Sequence, residues 1–321
     1  MDTPLFIDSD FIETNTSFIA LIQALKNSFA ENRTIVPQRH HHDFPFPGRS
    51  KDSTLLLMPA WTPGEDSGVK VVTINPYNGD LGLPAIQGSY LYMDASNGRL
   101  KAIIEAKSLT AKRTAATSAL ASEYLSRKDA DSLLMIGTGA LSINLIKAHT
   151  AIRPIKRVYV WGRSFEKAQR ISNQLKEETY GVTAIEKVDD VISEVAIISC
   201  ATLSESPLVL GAHLVPGQHL DLVGAYKPNM READDAAINK STVFVDAFGG
   251  GLKESGDITI PLETGVLKEE EIAADIFGLC SNQMPGRISA DQITLFKSVG
   301  HALEDLTAAK YYYHLYVNNK V

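Results

Sequence analysis

A glycine-rich segment near the middle of the chain has the residue types and spacing to bind a phosphorylated ligand. The apolar run 132–136 leads into Gly-Thr-Gly-Ala-Leu-Ser at 137–142, and a helical pattern follows at once. A buried strand that turns tightly into a helix leaves unpaired backbone N–H groups aimed at an anion. Gly137 can supply the tight turn, and Gly139 has no Cβ to obstruct a pyrophosphate. Ser142 is small enough to let the helix pack closely on the strand.

Such a glycine pattern alone is weak evidence for a phosphate-binding turn, and the next predicted strand strengthens that evidence. The apolar run 157–162 is followed by Arg163 and Ser164. An NAD site usually has an acidic residue at that strand end, which accepts a hydrogen bond from the ribose 2′-hydroxyl. A guanidinium and a hydroxyl instead suit a 2′-phosphate. Although most arginines simply lie on the surface, this position predicts a Rossmann unit that prefers NADP(H).

Two cations are candidates for binding an anionic group of a substrate. Lys70 interrupts an apolar strand pattern, so alternation puts it on the face opposite to its neighbours, either in solvent or lining a cleft. Arg113 lies in an alanine-rich helix predicted over 107–127. Polar residues share one face of that helix at helical spacing: Thr110, Arg113, Thr114 and Thr117. That face either meets solvent or binds a carboxylate or phosphate bidentately.

Three consecutive histidines, 40–42, suggest a metal site, but their spacing does not support one. Consecutive side chains of an extended segment point to alternating sides, so these rings rarely converge on one ion. The sequence has no other cluster of Asp, Glu and His with ligand spacing. Arg39, just before the histidines, is a better candidate as a cation lining a cleft. We therefore predict no metal.

Loops after the later predicted strands are further candidates, because ligands of parallel sheets bind beyond the carboxyl ends of the strands. Residues 199–202 end one strand, and 223–232 follow the next and include Tyr226. The glycines of 246–251 would permit close approach to a ligand. The alternative for each loop is an ordinary strand–helix connection. Tyr226 is a candidate wall of the site, and the catalytic residue stays unknown.

The elements that must position these residues follow two patterns. An amphipathic helix is predicted over 17–31, and residues 35–104 are β-rich, with strand candidates at 54–58, 68–74 and 88–93 and turn signals at Asn78-Gly79 and Asn97-Gly98. From residue 131 strands alternate with helices, which predicts a parallel sheet with right-handed crossovers. Strands are predicted at 132–136, 157–162, 195–199, 219–223 and 242–246, and helices at 140–151, 164–179 and from Ser298 onward. The chain is therefore predicted to be an α/β protein.

Composition excludes several classes of protein. The chain has 321 residues, 44% hydrophobic and 21% charged, which suits two globular domains. The net charge of −7 provides no basic field for nucleic acid or an anionic membrane. Cys200 and Cys280 cannot form a disulfide framework, and we expect both to be buried in a cytoplasmic protein. The start of the chain has no signal-peptide pattern, and no apolar run reaches the ~20 residues of a membrane span.

Taken together, these segments resemble the ornithine cyclodeaminase/mu-crystallin family over nearly the whole chain, from Val36 to Ala308. The residues that carry the resemblance are Leu57-Met-Pro, Val69-Lys-Val-Val-Thr, Leu109-Thr-Ala-Lys-Arg-Thr-Ala-Ala, Gly137-Thr-Gly-Ala, Gly224-Ala-Tyr, Arg231-Glu and Ser298-Val-Gly-His-Ala-Leu-Glu-Asp. The resemblance implies a homodimer of two-domain subunits. It assigns 1–121 and 300–321 to an α/β substrate-binding and dimerisation domain, and 122–299 to a Rossmann NAD(P)-binding domain.

The resemblance also implies roles for particular residues. Lys70 and Arg113 would hold a substrate carboxylate with Arg39 nearby, Thr114 would touch the cofactor phosphates, and Ser298, Val299 and Gly300 would lie near the nicotinamide. With the residues chosen above, the predicted cofactor contacts are Thr114, Gly137, Thr138, Gly139, Ala140, Leu141, Gly162, Arg163, Ser164, Cys200, Ala201, Thr202, Val223, Gly224, Ser298, Val299 and Gly300.

This chain differs from the family's lyases at one position that bears on which of the family's activities it has. Cyclodeaminases of the family carry an aspartate at the position of Tyr226, and a phenol with a pKa near ~10 is a poor base at neutral pH. They also place a glutamate before the Met-Pro pair, where this chain has Leu55 to Leu57. Leu55 to Met58 would form an apolar wall that suits a ring of methylenes without a distal charge. The expectation is therefore an NADPH-dependent ketimine reductase that converts Δ1-pyrroline-2-carboxylate to L-proline, and also Δ1-piperideine-2-carboxylate to L-pipecolate. NADH would be a weaker donor. A cyclodeaminase-type lyase, an alanine dehydrogenase-type enzyme and a non-catalytic NADPH-binding protein are the alternatives.

Overall fold

The computed structural model describes residues 3–319, which divide into two units. Met1–Arg113 and His301–Val321 form the first unit, and Thr114–Gly300 forms the second. The predicted boundary after residue 121 and the observed boundary after residue 113 both fall inside one long helix, Ala106–Leu125.

The strands and helices of the described residues are numbered in chain order. The strands are β1 (Leu5–Ile7), β2 (His40–Phe44), β3 (Ser53–Thr62), β4 (Asp66–Ile74), β5 (Ile86–Asp94), β6 (Leu100–Glu105), β7 (Ser132–Ile136), β8 (Arg157–Trp161), β9 (Gly181–Ala184), β10 (Ile197–Cys200), β11 (His219–Leu222), β12 (Ser241–Val245), β13 (Ala274–Asp275) and β14 (Ile293–Lys297). The helices are α1 (Ser9–Asn15), α2 (Phe18–Glu31), α3 (Ala106–Leu125), α4 (Ser142–Ile152), α5 (Phe165–Gln174), α6 (Asp235–Lys240), α7 (Phe248–Gly251), α8 (Gly256–Thr264), α9 (Ile276–Cys280) and α10 (Ala302–Asn318).

The first unit is a six-stranded sheet with helices packed on one face. The strand order is β1-β6-β5-β4-β3-β2, antiparallel except where β1 pairs with β6. Helix α10 packs against β3, β4 and β5 and against α2. The large side chains of Phe29, Tyr90 and Tyr92 are fully buried. The predicted α2 is confirmed, with Ser17 as its N-cap residue.

The other face of this sheet carries apolar residues that are less deeply buried. Phe6, Ile103, Leu91, Val69 and Pro59 lie opposite one another in a single row across five strands. Four of them are partly buried, and Phe6 is 62% exposed. This row is therefore an apolar surface on the opposite side of the sheet from Tyr90 and Tyr92.

The second unit contains an eight-stranded parallel sheet. Its order is β13-β12-β14-β11-β10-β7-β8-β9. Counted from β7, the segment β9-β8-β7-β10-β11 has the 3-2-1-4-5 order of a Rossmann fold, so the strand order reverses between β7 and β10. Ligands of such sheets bind in the crevice at that reversal, beyond the carboxyl ends of the strands. The predicted α/β class and Rossmann domain are confirmed.

Some predicted boundaries are wrong. The helix predicted over 164–179 ends at Gln174. The last helix begins at Ala302 and not at Ser298, because Glu304 accepts a hydrogen bond from the backbone N–H of His301 and forms a capping box there. Strands β1, β9, β13 and β14 were not predicted, and β2 and most of β6 lie in the segment predicted only as β-rich. No helix within residues 3–319 combines the length and the apolar composition that a bilayer span requires.

Candidate functional site

The glycine-rich turn after β7 has the geometry expected of a phosphate-binding loop. Gly137 has a φ of +125°, and a Cβ there would lie 2.5 Å from the carbonyl oxygen of Ala201. Gly139 is exposed, and a Cβ on it would meet nothing within 4 Å. The hydroxyl of Ser142 donates to the Gly137 carbonyl at 2.9 Å and fixes the turn to the first residue of α4. The backbone at Gly139 is therefore open to a pyrophosphate group beside the start of a helix.

The carboxyl end of β8 lies against this turn. A Cβ on Gly162 would lie 2.6 Å from the methyl carbon of Thr138, so only glycine lets the two loops pack this closely. Arg163 is exposed, and its guanidinium makes no hydrogen bond or ion pair within residues 3–319. The Ser164 hydroxyl accepts from the N–H of Lys167 at 3.4 Å as the N-cap of α5. Arg163 is thus available for an anion, whereas Ser164 already has a structural role.

Two more loops at the crevice are held by one buried carboxylate. Glu232 accepts from the Thr202 N–H at 2.7 Å, the Thr202 hydroxyl at 2.9 Å, the Gly224 N–H at 2.8 Å and the Ala225 N–H at 3.2 Å. Gly224 itself packs on the backbone of Thr202, where an added Cβ would lie 2.0 Å from the amide nitrogen. The predicted contacts Ala201, Thr202, Val223 and Gly224 therefore lie in two joined loops.

Cys200, one of the predicted cofactor contacts, has a buried side chain. It is fully buried in the hydrophobic core of the second unit. Burial also raises the pKa of its thiol well above the ordinary value. Both cysteines are buried and free, as predicted.

The segment Ser298–Gly300 is fixed by a second buried carboxylate. One oxygen of Asp246 accepts from the Ser298 hydroxyl at 3.1 Å and from the N–H groups of Val299 and Gly300 at 2.6 and 2.7 Å. Thr114, the remaining predicted phosphate contact, is a buried residue of α3. Nothing local in the sequence predicts that Glu232 and Asp246 accept these hydrogen bonds, because most of the donors lie in loops that are distant in sequence.

In the first unit the predicted substrate cations form a buried ionic cluster. The ammonium of Lys70 lies 2.9 and 2.8 Å from the two carboxylate oxygens of Asp305. The guanidinium of Arg113 donates from Nε to Asp305 at 2.9 Å and from one Nη to Glu304 at 2.6 Å. Both acids are fully buried, and Lys70 and Arg113 are nearly so. Sequence reasoning missed both acids, although the quoted motif after His301 contains them.

The charges of this cluster alter one another's ionisation. Burial lowers the pKa of Lys70 to about 8; Asp305 partly opposes this effect, while Arg113 and Arg39 add to it. For Asp305, burial acts to raise the pKa, but Arg113 and Lys70 outweigh it and hold the pKa below the usual value. The same two acids raise the pKa of Arg113 despite its burial. Arg39 is thus close enough for its charge to act on the cluster.

Two expectations about strand faces need correction. Lys70 is neither in solvent nor opposite the buried face: it lies on the helix-covered side of β4, where it pairs in register with Met58 and Tyr90. Leu55 to Met58 do not form one apolar wall, because alternate residues of β3 point to opposite faces of the sheet. Leu55 and Leu57 share the face of Val69.

Tyr226 is partly exposed, and the three histidines lie in a strand. Tyr226 is 40% exposed, and the ammonium of Lys227 lies 5.7 Å from its ring centroid. Residues 40–42 fall within β2, as extended backbone requires. In the described part of the chain no three His, Cys, Asp or Glu side chains group so as to hold a metal ion.

Comparison with known proteins adds to this geometry. The model of the ornithine cyclodeaminase/mu-crystallin family matches residues 5–320. An uncharacterised Schizosaccharomyces pombe protein is 41% identical over 325 residues, 98% of each chain. The Δ1-pyrroline-2-carboxylate reductase of Colwellia psychrerythraea is 36% identical over 307 residues, covering 94% of this chain and 96% of the relative. The structure of Thermococcus litoralis Δ1-pyrroline-2-carboxylate reductase with NADH and L-proline matches with a TM-score of 0.91 and 30% identity, covering 99% and 98% of the two chains.

Proposed function

Since the chain belongs to the ornithine cyclodeaminase/mu-crystallin family, we propose that it is an NADPH-dependent reductase of cyclic ketimines. Its main reaction would convert Δ1-pyrroline-2-carboxylate to L-proline, and a second would convert Δ1-piperideine-2-carboxylate to L-pipecolate. The observation that carries this proposal is the full-length similarity to the Δ1-pyrroline-2-carboxylate reductases of Colwellia psychrerythraea and Thermococcus litoralis. The family resemblance expected from the sequence is confirmed.

The proposed cofactor is NADPH, and Arg163 is the reason. The Thermococcus litoralis reductase is described with NADH, so the relatives do not support the phosphorylated form. Within residues 3–319 the end of β8 offers the guanidinium of Arg163 with no ion-pair partner, and the residues directly after β8, 162–164, include no carboxylate where the adenosine ribose of a dinucleotide would lie. An arginine can bind a 2′-phosphate through two N–H groups at once. Gly137 and Gly139 would accommodate the pyrophosphate, with Thr138, Ala140, Leu141, Gly162 and Ser164 around it.

The substrate carboxylate would be held by Lys70 and Arg113, with Arg39 nearby. Within the described residues, Arg113 uses its Nε and one Nη, which leaves N–H donors of its fork for a second carboxylate. Both cations are buried, so an ion pair with them would be weakly screened and strongly oriented. When bound, the reduced nicotinamide supplies a hydride to the imine carbon. The imine must be protonated to accept it, and we assign no proton donor.

Reduction is favoured over deamination by what the chain lacks. The loop after β11 carries Tyr226 where the family's cyclodeaminases carry an aspartate, and its phenol is a poor base at neutral pH. The acids of the first unit do not replace that aspartate, because Asp305 and Glu304 already bind Lys70 and Arg113. Tyr226 is kept as a wall of the site.

We also propose that the protein is a homodimer. The apolar row Phe6, Ile103, Leu91, Val69 and Pro59 lies on the sheet face opposite Tyr90 and Tyr92. Four of these residues are partly buried and Phe6 is exposed, and a partly exposed apolar surface of this kind is typical of a protein–protein interface. A cytoplasmic location is proposed with it, since both cysteines are free thiols.

The experiment is a panel assay with purified protein. Δ1-Pyrroline-2-carboxylate and Δ1-piperideine-2-carboxylate are each mixed with NADPH or NADH, and cofactor oxidation is followed at its absorbance maximum. We expect rapid oxidation of NADPH and formation of L-proline, with slower use of NADH. Ammonia release from ornithine without NADPH oxidation would instead indicate a lyase. NADH oxidation only with pyruvate and ammonia would indicate an alanine dehydrogenase, and tight NADPH binding without turnover a binding protein.

A further inference from the structure

Glu232 is a fully buried carboxylate that the proposed reaction does not use. It lies ten residues after the end of β11 and receives four hydrogen bonds from two loops, two from Thr202 and one each from the amides of Gly224 and Ala225. These donors belong to the loops that follow β10 and β11. A carboxylate with four donors is held as an acceptor, and it couples the two loops to one point.

Two other buried charges fix Glu232 in place. Lys297, at the end of β14, lies 2.9 Å from a carboxylate oxygen of Asp257 and 3.9 Å from Glu232. The other Asp257 oxygen accepts from the backbone N–H groups of Glu232 and Ala233 at 2.7 and 3.2 Å. All three side chains are fully buried. Burial acts to lower the pKa of Lys297, but the two acids outweigh it and raise the pKa, so the lysine stays charged.

Burying this group of charges to join two loops costs desolvation free energy. Desolvation of an ion pair in a protein interior often cancels its attraction, and apolar residues of similar volume can be equally stable or more so. Hydrogen bonds to a fixed carboxylate do, however, set the positions of N–H groups more narrowly than apolar contacts do. The network therefore fits a need for exact loop position better than a need for stability.

The two loops lie where the second half of a dinucleotide binds. In a Rossmann sheet the adenosine half lies over the strands that follow the glycine turn, here β7 and β8. The other half lies over the second mononucleotide-binding half, which begins at β10 and continues through β11. The loop after β10 also abuts the glycine turn, since a Cβ on Gly137 would strike the Ala201 carbonyl. A shift of Thr202 would thus alter both the glycine turn and the nicotinamide side of the cofactor site, and the nicotinamide side most.

We propose that Glu232, held by Lys297 and Asp257, is a positioning residue that sets the loops around the nicotinamide half of the cofactor. This inference rests on the proposed function for its choice of cofactor. Glu232 has no exposed surface, so it acts through Thr202, Gly224 and Ala225 and does not itself touch a ligand.

The experiment compares binding of NADPH with binding of 2′,5′-ADP, which contains only the adenosine half. In Glu232→Gln the side chain keeps its volume, but an NH₂ group replaces one acceptor and faces backbone donors. We expect Kd for NADPH to rise at least tenfold while Kd for 2′,5′-ADP stays within twofold. Asp257→Asn, whose side chain contacts Glu232 and Ala233 but none of the donors Thr202, Gly224 and Ala225, should give a smaller change in the same direction. We also expect kcat to fall more than KM for the imine rises.

Asp221→Asn is the matched control, since Asp221 is equally buried in the same unit but pairs with His149 and Ser199. It should lower the melting temperature without changing the ratio of the two Kd values. If the ratio of Kd for NADPH to Kd for 2′,5′-ADP is unchanged in Glu232→Gln, whether neither ligand or both bind more weakly, the proposal is overturned. Loss of the folded state in both Glu232→Gln and Asp257→Asn also overturns it, because the network would then serve folding. Since neither binding measurement contains an imine, the proposal can hold even if the protein reduces no ketimine.

Discussion

The ionic cluster of the first unit makes a quantitative prediction about pH. Lys70 must be protonated to bind a substrate carboxylate, and its folded pKa of about 8 lies below the ordinary lysine value of 10.5. Substrate binding should therefore be full below pH 8 and should weaken as the pH rises through that value. Asp305 is the group that keeps this pKa from falling further, since its oxygens lie 2.9 and 2.8 Å from the ammonium.

The size of the Asp305 effect follows from this distance. Two unit charges about 3 Å apart at an effective dielectric constant of about 20 attract by roughly 5.5 kcal/mol, equivalent to about four pKa units. Water and side-chain rearrangement will reduce that figure in a variant. We take about half of it, and expect Asp305→Asn to lower the pKa of Lys70 by about two units. At pH 7 the lysine would then be largely neutral.

The assay is the pH profile of kcat/KM for Δ1-pyrroline-2-carboxylate at saturating NADPH. The substrate's own ionisation is common to both enzymes, so the difference between wild type and Asp305→Asn isolates the protein group. We expect the alkaline inflection to move from near 8 to near 6. Glu304→Gln is the control, because Glu304 accepts from Arg113 at 2.6 Å, whereas the carboxylate that pairs with Lys70 is that of Asp305. It should raise KM without moving the inflection.

An unchanged inflection in Asp305→Asn would refute the assignment of Lys70 to the substrate carboxylate. Removing one partner of a buried ion pair also destabilises a protein by about 3–5 kcal/mol, so the comparison is made below the melting temperature of the variant. Unchanged 2′,5′-ADP binding serves as the check that the second unit is intact.

Three further predictions concern the cofactor and acid stability. Arg163→Glu should weaken NADPH by about 10- to 100-fold, from the loss of a charged hydrogen bond worth about 1.5–3 kcal/mol, with Kd for NADH changed far less; equal losses would remove Arg163 from the 2′-phosphate. Gly137→Ala should lower stability by about 1–3 kcal/mol through its strained φ, whereas Gly139→Ala should leave the melting temperature unchanged and weaken only the binding of NADPH and NADH; thermal melts and titrations measure the two effects. His219 is buried, and desolvation lowers its pKa to about 3, so its contribution to stability is complete above pH 6.5 and falls by about 1.4 kcal/mol per unit as the unfolded state alone gains a proton. Unfolding of His219→Gln should therefore depend less steeply on pH between 6.5 and 3, and equal slopes would contradict this.

Local sequence patterns predicted the Rossmann unit well. The turn at 137–142 combines an apolar strand, two glycines and a helix, and each of these is specified by nearby residues. Strand β14 was missed because it contains Thr294 and Lys297, both fully buried. Lys297 looks like a surface residue until Asp257, forty residues away in sequence, is brought to it. These two polar residues interrupt the apolar run that would otherwise predict a buried strand.

The face that Lys70 occupies could not be predicted for a related reason. Alternation separates the side chains of β4 into two sets but does not say which set a helix will cover. Helix α10 decides this, and it comes from the other end of the chain: Lys70 and Asp305 are 235 residues apart. The sequence motif after His301 contained Glu304 and Asp305, yet nothing local identifies them as partners of Lys70 and Arg113.

These ion pairs also bear on substrate class. Ornithine carries a distal ammonium that needs a carboxylate, and the two acids of the cluster are each bound to a cation already. Releasing either acid to receive an ammonium would leave Lys70 or Arg113 buried without its partner, a loss of several kcal/mol. A carboxylate imposes no such loss, because Arg113 has N–H donors beyond the two that Asp305 and Glu304 accept. Under the proposed function the cluster accepts one more anion and no further cation, which suits an imino acid whose remaining ring atoms are uncharged methylenes.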